Sequence, residues 1–364
     1  MTCRERVLAS MSHRQPDRCA SYHWLPDDTL ALLEARLGVD GEDEVEAALG
    51  IDRWRNVGAA PPPTTPDQER RIREFVPQQF RNRDDAEVTA QGRVLKKHPE
   101  ADYLEDVLYS PLQELEDVAA LDDYPFPDPA SIVADDELVT LVQNLKATDA
   151  VVLAMVTQPF KGAWYLRGFE NFLCDFLVNP QFAEHLYDRL YATATAQCVA
   201  GAKAGADMVQ IVGDIAMQDR LMMAPDTWRR FDRPRLNAMI EVVRAAVPDV
   251  RIGMHSDGKV TDIVPDLIAA GIEILNPIQP ECMDPLDVKR QWGDRLVLHG
   301  CVSIQRTIPF GSPADVKREI HELIDGCGRD GGLIIGPSNV LMKEFPLDNI
   351  IAMYEAVTEH AGTP

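Results

Sequence analysis

Arg251-Ile-Gly-Met-His-Ser-Asp-Gly258 is the stretch whose reading decides the fold. Arg251 to Met254 reads as a short buried strand that stops at His255. Ser256-Asp257-Gly258 then turns the chain into an amphipathic helix beginning near Lys259. An imidazole and a carboxylate therefore stand where a strand ends and a helix begins. In parallel α/β folds that edge is where ligands bind.

Working outward, the same arrangement recurs. On the C-terminal side, Glu273-Ile-Leu275 is a strand ending at Asn276-Pro-Ile-Gln279, and Arg295 to His299 is a strand ending at Gly300-Cys301. Gly332 to Ile335 is the last strand, leading to Ser338-Asn339. On the N-terminal side, Asp207 to Val212 ends at Gly213-Asp214, and Ala150 to Val156 ends at Gln158-Pro-Phe160. Cys19 to Trp24 reads as the first strand, reaching His23, and Gly50 to Val57 as the second. Helical patterns separate the strands: Ser131 to Lys146, 161–178, 180–205, 218–223, 225–246, Val260 to Ala270, Pro285 to Trp292 and Ser312 to Cys327. Leu347 to Glu359 closes the chain. Such alternation predicts a parallel sheet, and about eight units over this length predict an α/β (β/α)8 TIM barrel. A doubly wound open sheet is the alternative, disfavoured because no Gly-x-Gly-x-x-Gly follows a strand.

The additions are an N-terminal helical extension, Thr2 to Ser12 with Thr2 as N-cap, and an insertion over roughly 67–110. In the insertion, Gln91 to Lys97 and Tyr103 to Tyr109 alternate like hairpin arms. It is expected to form a lid or a homodimer contact. Pro111 to Leu121 reads as helical. One barrel domain is expected over 1–364.

The 364 residues carry a formal charge of −23, which opposes nucleic acid and anionic membranes as partners. No apolar run reaches the ~18 residues of a membrane span. Seven cysteines with no Cys-x-x-Cys, and an N-terminus without a signal-peptide profile, predict a cytoplasmic protein with free thiols.

Each candidate site residue has a plain structural reading beside the functional one. His255 is a ligand or acid/base group, or a hydrogen-bonded rim histidine. Asp257 is a second ligand or orients His255; Asp214 faces the same cavity as a general acid or base. Either aspartate could instead be a helix N-cap. His23 and Trp24 could form a substrate wall, and Gln218, Gln279, Ser338 and Asn339 could reach substrate from the strand ends. Cys301 could supply a thiolate ligand, or be a small buried apolar residue.

With the strand ends laid out, the chain resembles the uroporphyrinogen decarboxylase superfamily. The matching pieces are Arg4-Glu-Arg-Val-Leu-Ala9, His13-Arg-Gln-Pro-Asp-Arg18, Phe126-Pro-Asp-Pro129, Leu166-Arg-Gly-Phe-Glu-Asn-Phe172, Ala202-Lys-Ala-Gly-Ala-Asp207, His255-Ser-Asp-Gly258, Gly271-Ile-Glu-Ile-Leu-Asn-Pro277 and Phe345-Pro-Leu-Asp-Asn-Ile350. The resemblance implies a barrel and either porphyrinogen decarboxylation or zinc-dependent methyl transfer to or from corrinoids. The decarboxylases carry Arg-Gln-Ala-Gly-Arg for substrate carboxylates; here Tyr22-His-Trp-Leu-Pro-Asp-Asp28 stands in its place. They also carry Gly-His-Gly after the last strand, where this chain has Asn339. The methyltransferases hold zinc with His-x-Cys and a later Cys; here the pair reads His255-Ser-Asp257, and the last strand leads to Ser338-Asn339.

Three functions remain in view. The first is methyl transfer (demethylation) from a small methylated substrate to a corrinoid on a separate protein, with zinc held by His255 and Asp257, with or without Cys301. The chain itself shows no corrinoid-binding Asp-x-His-x-x-Gly. The second is a metal-free decarboxylase or lyase for a small acid, in which Asp214 and His255 shuttle protons. The third is a non-catalytic binding barrel. Uroporphyrinogen itself is not expected to be a substrate.

Overall fold

The computed structural model describes residues 1–61, 64–98 and 101–360. Eight strands form one parallel sheet: β1 (Ala20–Ser21), β2 (Trp54–Val57), β3 (Val151–Thr157), β4 (Met208–Val212), β5 (Arg251–His255), β6 (Ile274–Asn276), β7 (Val297–Val302) and β8 (Leu333–Pro337). Their order is β1-β8-β7-β6-β5-β4-β3-β2. Neighbours pair in parallel, with His255 level with Val212 on one side and Asn276 on the other. Apart from β2, which carries Arg55 and Asn56, these strands are short and mostly apolar because both faces of the sheet are covered.

The first and last strands in that order, β1 and β2, meet through side chains. The Trp54 indole N–H donates to Ser21 O (2.8 Å), and the Ser21 N–H donates to a carboxylate oxygen of Asp52 (2.8 Å). Asp52 is fully buried and also receives Arg6 and Arg18. The sheet thus curls into the TIM-barrel-like form expected, with a seam of side-chain bonds where a backbone ladder would run.

Helix Cys3–Met11 starts in a capping box made by Thr2 and Glu5. Its Val7 and Met11 join Trp54, Val151, Leu153, Met208, Ile274, Val297 and Ile334 in one apolar cluster inside the sheet. The helix therefore stoppers the N-terminal end of the strands. The larger apolar layer lies between the sheet and the outer helices.

The insertion is more elaborate than a hairpin. Helix Pro66–Glu74 precedes a three-stranded antiparallel sheet of Glu87–Val88, Val94–His98 and Ala101–Tyr109. Its own small core is Val76, Val94 and Tyr109.

Other expectations fail locally. Pro111 to Leu121 is not an α-helix, because the Arg167 guanidinium takes the carbonyls of Leu112, Gln113 and Leu115 (2.7, 3.2 and 2.6 Å) while paired with Asp175. A tertiary donor has replaced the helix's own. Residues 218–223 hold no helix; Ala216 and Leu221 bridge antiparallel instead. After Gly258 the chain makes a short 3-10 turn, Thr261–Ile263, before helix Val264–Ala270. The helix expected from Ser131 starts at Asp136, where Asp135 caps Leu138 N–H (2.8 Å).

Candidate active site

Three chain segments meet beyond the C-terminal ends of β4, β5 and β6. His255 is the last residue of β5, and its Nδ1 lies 2.7 Å from Asn276 Oδ1 at the end of β6. An amide oxygen only accepts, so Nδ1 carries a proton and Nε2 is the nitrogen left for another partner. Nε2 faces Asp214 Oδ1 at 3.8 Å and Asp257 Oδ1 at 3.9 Å.

Local bonds fix the two aspartates. The Asp257 N–H donates to Asp214 Oδ1 (3.1 Å), and Ser256 Oγ accepts from Ile215 N–H (3.1 Å). The loops after β4 and β5 are thereby tied together, with Ser256 turned into the tie. Gly258 N–H donates to Gln279 Oε1 (3.0 Å). Gly258 has φ +86°, and a Cβ there would lie 2.4 Å from Met217 O, so only glycine lets the two loops approach. Neither aspartate caps a helix, and the plain reading of both is set aside.

The Asp214 Oδ2 is paired with Lys161 Nζ at 3.2 Å. Asn339 donates to Asp257 Oδ2. Asp257 Oδ1 is buried and has no hydrogen-bond partner. Burial raises the Asp257 carboxyl above its usual range; His255 pulls it down and Asp214 pushes it up. Asp214, His255 and Asp257 each offer one donor atom, all within 4.8 Å of one another.

A second acidic cluster, His23 with Glu42 and Glu46, has the same spacing. There Arg53 and Arg55 already pair with Glu46; burial pushes its carboxyl up, but the hydrogen bonds with His23 and Arg55 outweigh that and bring it to about 2. That cluster is an ion-pair network. His23 Nε2 is 2.9 Å from Glu46 Oε1.

Beneath the first cluster lies a cavity of about 170 Å³ inside the curled sheet, lined by Tyr22, His23, Trp24, Met155, Gln210 and His299 among others. Trp24 sets its ring edge-on to His255. Among the described residues no lysine or arginine lines this cavity. His299 stacks on Trp54 and meets Tyr22 edge-on, and burial pushes its imidazole down to about 3.

Residues 105–360 match the family model described as uroporphyrinogen decarboxylase (URO-D). The chain belongs to this family. The uroporphyrinogen decarboxylases of Pelodictyon phaeoclathratiforme and Chlorobium limicola are similar to it, at 22% and 23% identity over 187 residues. Those matches cover 50% of this chain and 51% of each relative, so the chain spans about half the length of the curated relatives it matches. A methyltransferase from Methanosarcina mazei has a similar fold, with TM-score 0.65, 18% identity and 99% of both chains covered. Among the described residues no helix is long and apolar enough to cross a membrane.

In this uroporphyrinogen decarboxylase family member, not every candidate reaches the site. Cys301 does not. Gly300 and Cys301 take φ values of +96° and +87°, which ends the strand's alternation. The thiol turns into the apolar layer outside the sheet, where burial raises it well above its usual range. Gln218 is exposed and lies against Gln305. Gln279 holds the Gly258 loop. Ser338 is buried with its N–H on Val302 O (2.9 Å); its neighbour Asn339 is the residue that touches the cluster. Lys161, Asn276, Gln210 and His299 were not anticipated. Gln210 and His299 had a signal: each is a polar residue at an inward position of an otherwise apolar strand.

Proposed function

We propose that the protein is a methyltransferase that removes a methyl group from a small methylated substrate and passes it to a corrinoid carried by a separate protein. The observation that carries this is the Asp214–His255–Asp257 donor set, with an unpartnered buried oxygen on Asp257, above a small cavity with no carboxylate, lysine or arginine among its described lining residues. The similarity in fold to a methyltransferase supports it.

The donor set fits zinc: one neutral imidazole nitrogen and two carboxylate oxygens. Bound there, zinc would supply Lewis-acid polarisation of the substrate's leaving oxygen or nitrogen. The other steps belong to the chain. Asn276 holds His255 in the tautomer that presents Nε2. Asn339 and the Gly258 loop hold Asp257 in place. Lys161 and Asp214 together hold the proton that a departing alkoxide or amine takes up. Trp24 covers one side of His255 and limits water there.

Uroporphyrinogen does not suit this cavity. A substrate with eight carboxylates needs cations in a water-poor space. Arg53 and Arg55 are taken up by Glu46, and Arg167 by Asp175.

The test is elemental analysis of the purified protein, then methyl transfer from a panel of methylated ethers and amines to reduced cobalamin. Stoichiometric zinc, with transfer lost in His255→Ala and Asp257→Asn, is expected. Decarboxylation of a small acid by chelator-treated protein would overturn the proposal in favour of metal-free proton shuttling by Asp214 and His255.

A further inference from the structure

The cavity beneath the cluster carries polar atoms that its own protein partners leave unused. Gln210 Oε1, both ring nitrogens of His299 and His23 Nδ1 are buried without a hydrogen-bond partner. All three residues line the cavity. Gln210 and His299 are almost wholly buried, at 3% and 2% exposure. Unpaired polar groups at that depth are rare, and in a cavity they mark where a ligand or water binds.

Their geometry is fixed in advance. The His299 ring is stacked on Trp54, with centroids 5.3 Å apart, and Tyr22 stands edge-on at 4.4 Å. The ring cannot turn without breaking both contacts. Gln210 lies over Gly253, where a Cβ would come within 2.4 Å of its Oε1. These residues are therefore placed as a recognition floor below the reacting groups.

The chemistry of the floor selects its ligand. The neutral imidazole gives one donor and one acceptor, and Gln210 Oε1 gives an acceptor. A hydroxyl both donates and accepts, so it can satisfy either residue. A carboxylate only accepts. It would face the Gln210 oxygen with no lysine or arginine among the described residues of the wall. An ammonium only donates, so it leaves the His299 N–H unpaired, and no carboxylate is among the described lining residues to offset its lost hydration.

We infer that the substrate enters with an uncharged, hydroxyl-bearing end that hydrogen-bonds Gln210 and His299, its apolar body lying against Tyr22, Trp24 and Met155. This rests on the proposed function only in taking the cavity as the substrate site.

The experiment is equilibrium binding of four probes of similar size, followed by calorimetry without added metal or corrinoid: phenol, toluene, benzoate and benzylamine. The wild type is expected to bind phenol at least about tenfold more tightly than the other three, since a site built for a hydroxyl rejects analogues lacking one. His299→Phe keeps the stacked ring and removes both nitrogens; Gln210→Met keeps the bulk and removes the acceptor. Each is expected to erase most of the preference for phenol over toluene. Tighter binding of benzoate or benzylamine, binding of no probe, or an undiminished phenol preference in a folded variant would overturn the inference. If neither variant folds, the wild-type ranking alone decides. Failure of methyl transfer in the presence of this ranking would fall on the proposed function and not on the floor.

Discussion

Asn276→Leu tests how the cluster is held. The substitution keeps the side chain near its original size and removes the one acceptor for His255 Nδ1, a 2.7 Å contact between two buried residues. With no acceptor there, the imidazole gains by moving its proton to Nε2, where Asp214 and Asp257 lie at 3.8 and 3.9 Å. The nitrogen that would hold zinc is then blocked by its own hydrogen. Loss of such an orienting partner costs about 10–100-fold in metal affinity, which is about 1.4–2.7 kcal/mol. The assay is zinc titration against a chromogenic chelator, with nitrogen NMR of the histidine ring to report the tautomer. Asn276→Asp supplies a stronger acceptor at the same place and is expected to restore or exceed wild-type affinity. A folded Asn276→Leu protein that binds zinc as tightly as wild type, with Nδ1 still protonated, would refute the reasoning.

Three further outcomes are expected. Asp52→Ala takes a buried carboxylate from Arg6, Arg18 and the Ser21 N–H and opens the β1–β2 seam, but Arg6 keeps Asp17, so urea unfolding should show a loss of about 1–3 kcal/mol; no loss would mean that the seam is not held there. Gly258→Ala forces a side chain into φ +86° and against Met217 O, and should lower stability by at least about 1–2 kcal/mol while weakening zinc binding. Asp232 is buried beneath the hydroxyls of Tyr187 and Tyr191, and burial raises its carboxyl from 3.8 to about 7. The folded state therefore keeps a proton that the unfolded state releases, and stability falls as pH rises from about 4 to 7, by at most about 4 kcal/mol. Asp232→Asn should remove that slope from the difference between variant and wild-type unfolding curves; parallel curves across this range would contradict it.

The strand order was legible because each strand of a covered parallel sheet is an apolar run ended by a turn. The same punctuation pointed to His255, Asp257 and Asp214, since each follows such a run directly. Lys161 was not legible because it lies on the helix after β3, and only the fold brings it to Asp214. Asn276 stood within Asn-Pro-Ile-Gln, which reads as loop capping; its partnership with His255 depends on strand register. Cys301 misled for a backbone reason. Period-two counting from His299 puts the thiol inward, but positive φ at Gly300 and Cys301 reverses it. The helix expected at Pro111 to Leu121 was lost to tertiary bonds from Arg167 that no local pattern encodes, and the one at 218–223 to a tight local hairpin between Ala216 and Leu221. His299 and Gln210 could have been found by asking which polar residues share the inward phase of a buried strand.

The stopper made by Val7 and Met11 has a kinetic consequence. With that end filled, the cavity reaches toward the other end of the strands, where His255 forms part of its wall. If the protein transfers methyl groups as proposed, a methyl donor and a bulky methyl acceptor would both approach from that end. The donor must enter first, because an acceptor seated over the mouth would shut it out, and the demethylated product can leave only after the acceptor has withdrawn. Turnover should therefore follow a compulsory order, and excess acceptor should inhibit by sealing the empty enzyme.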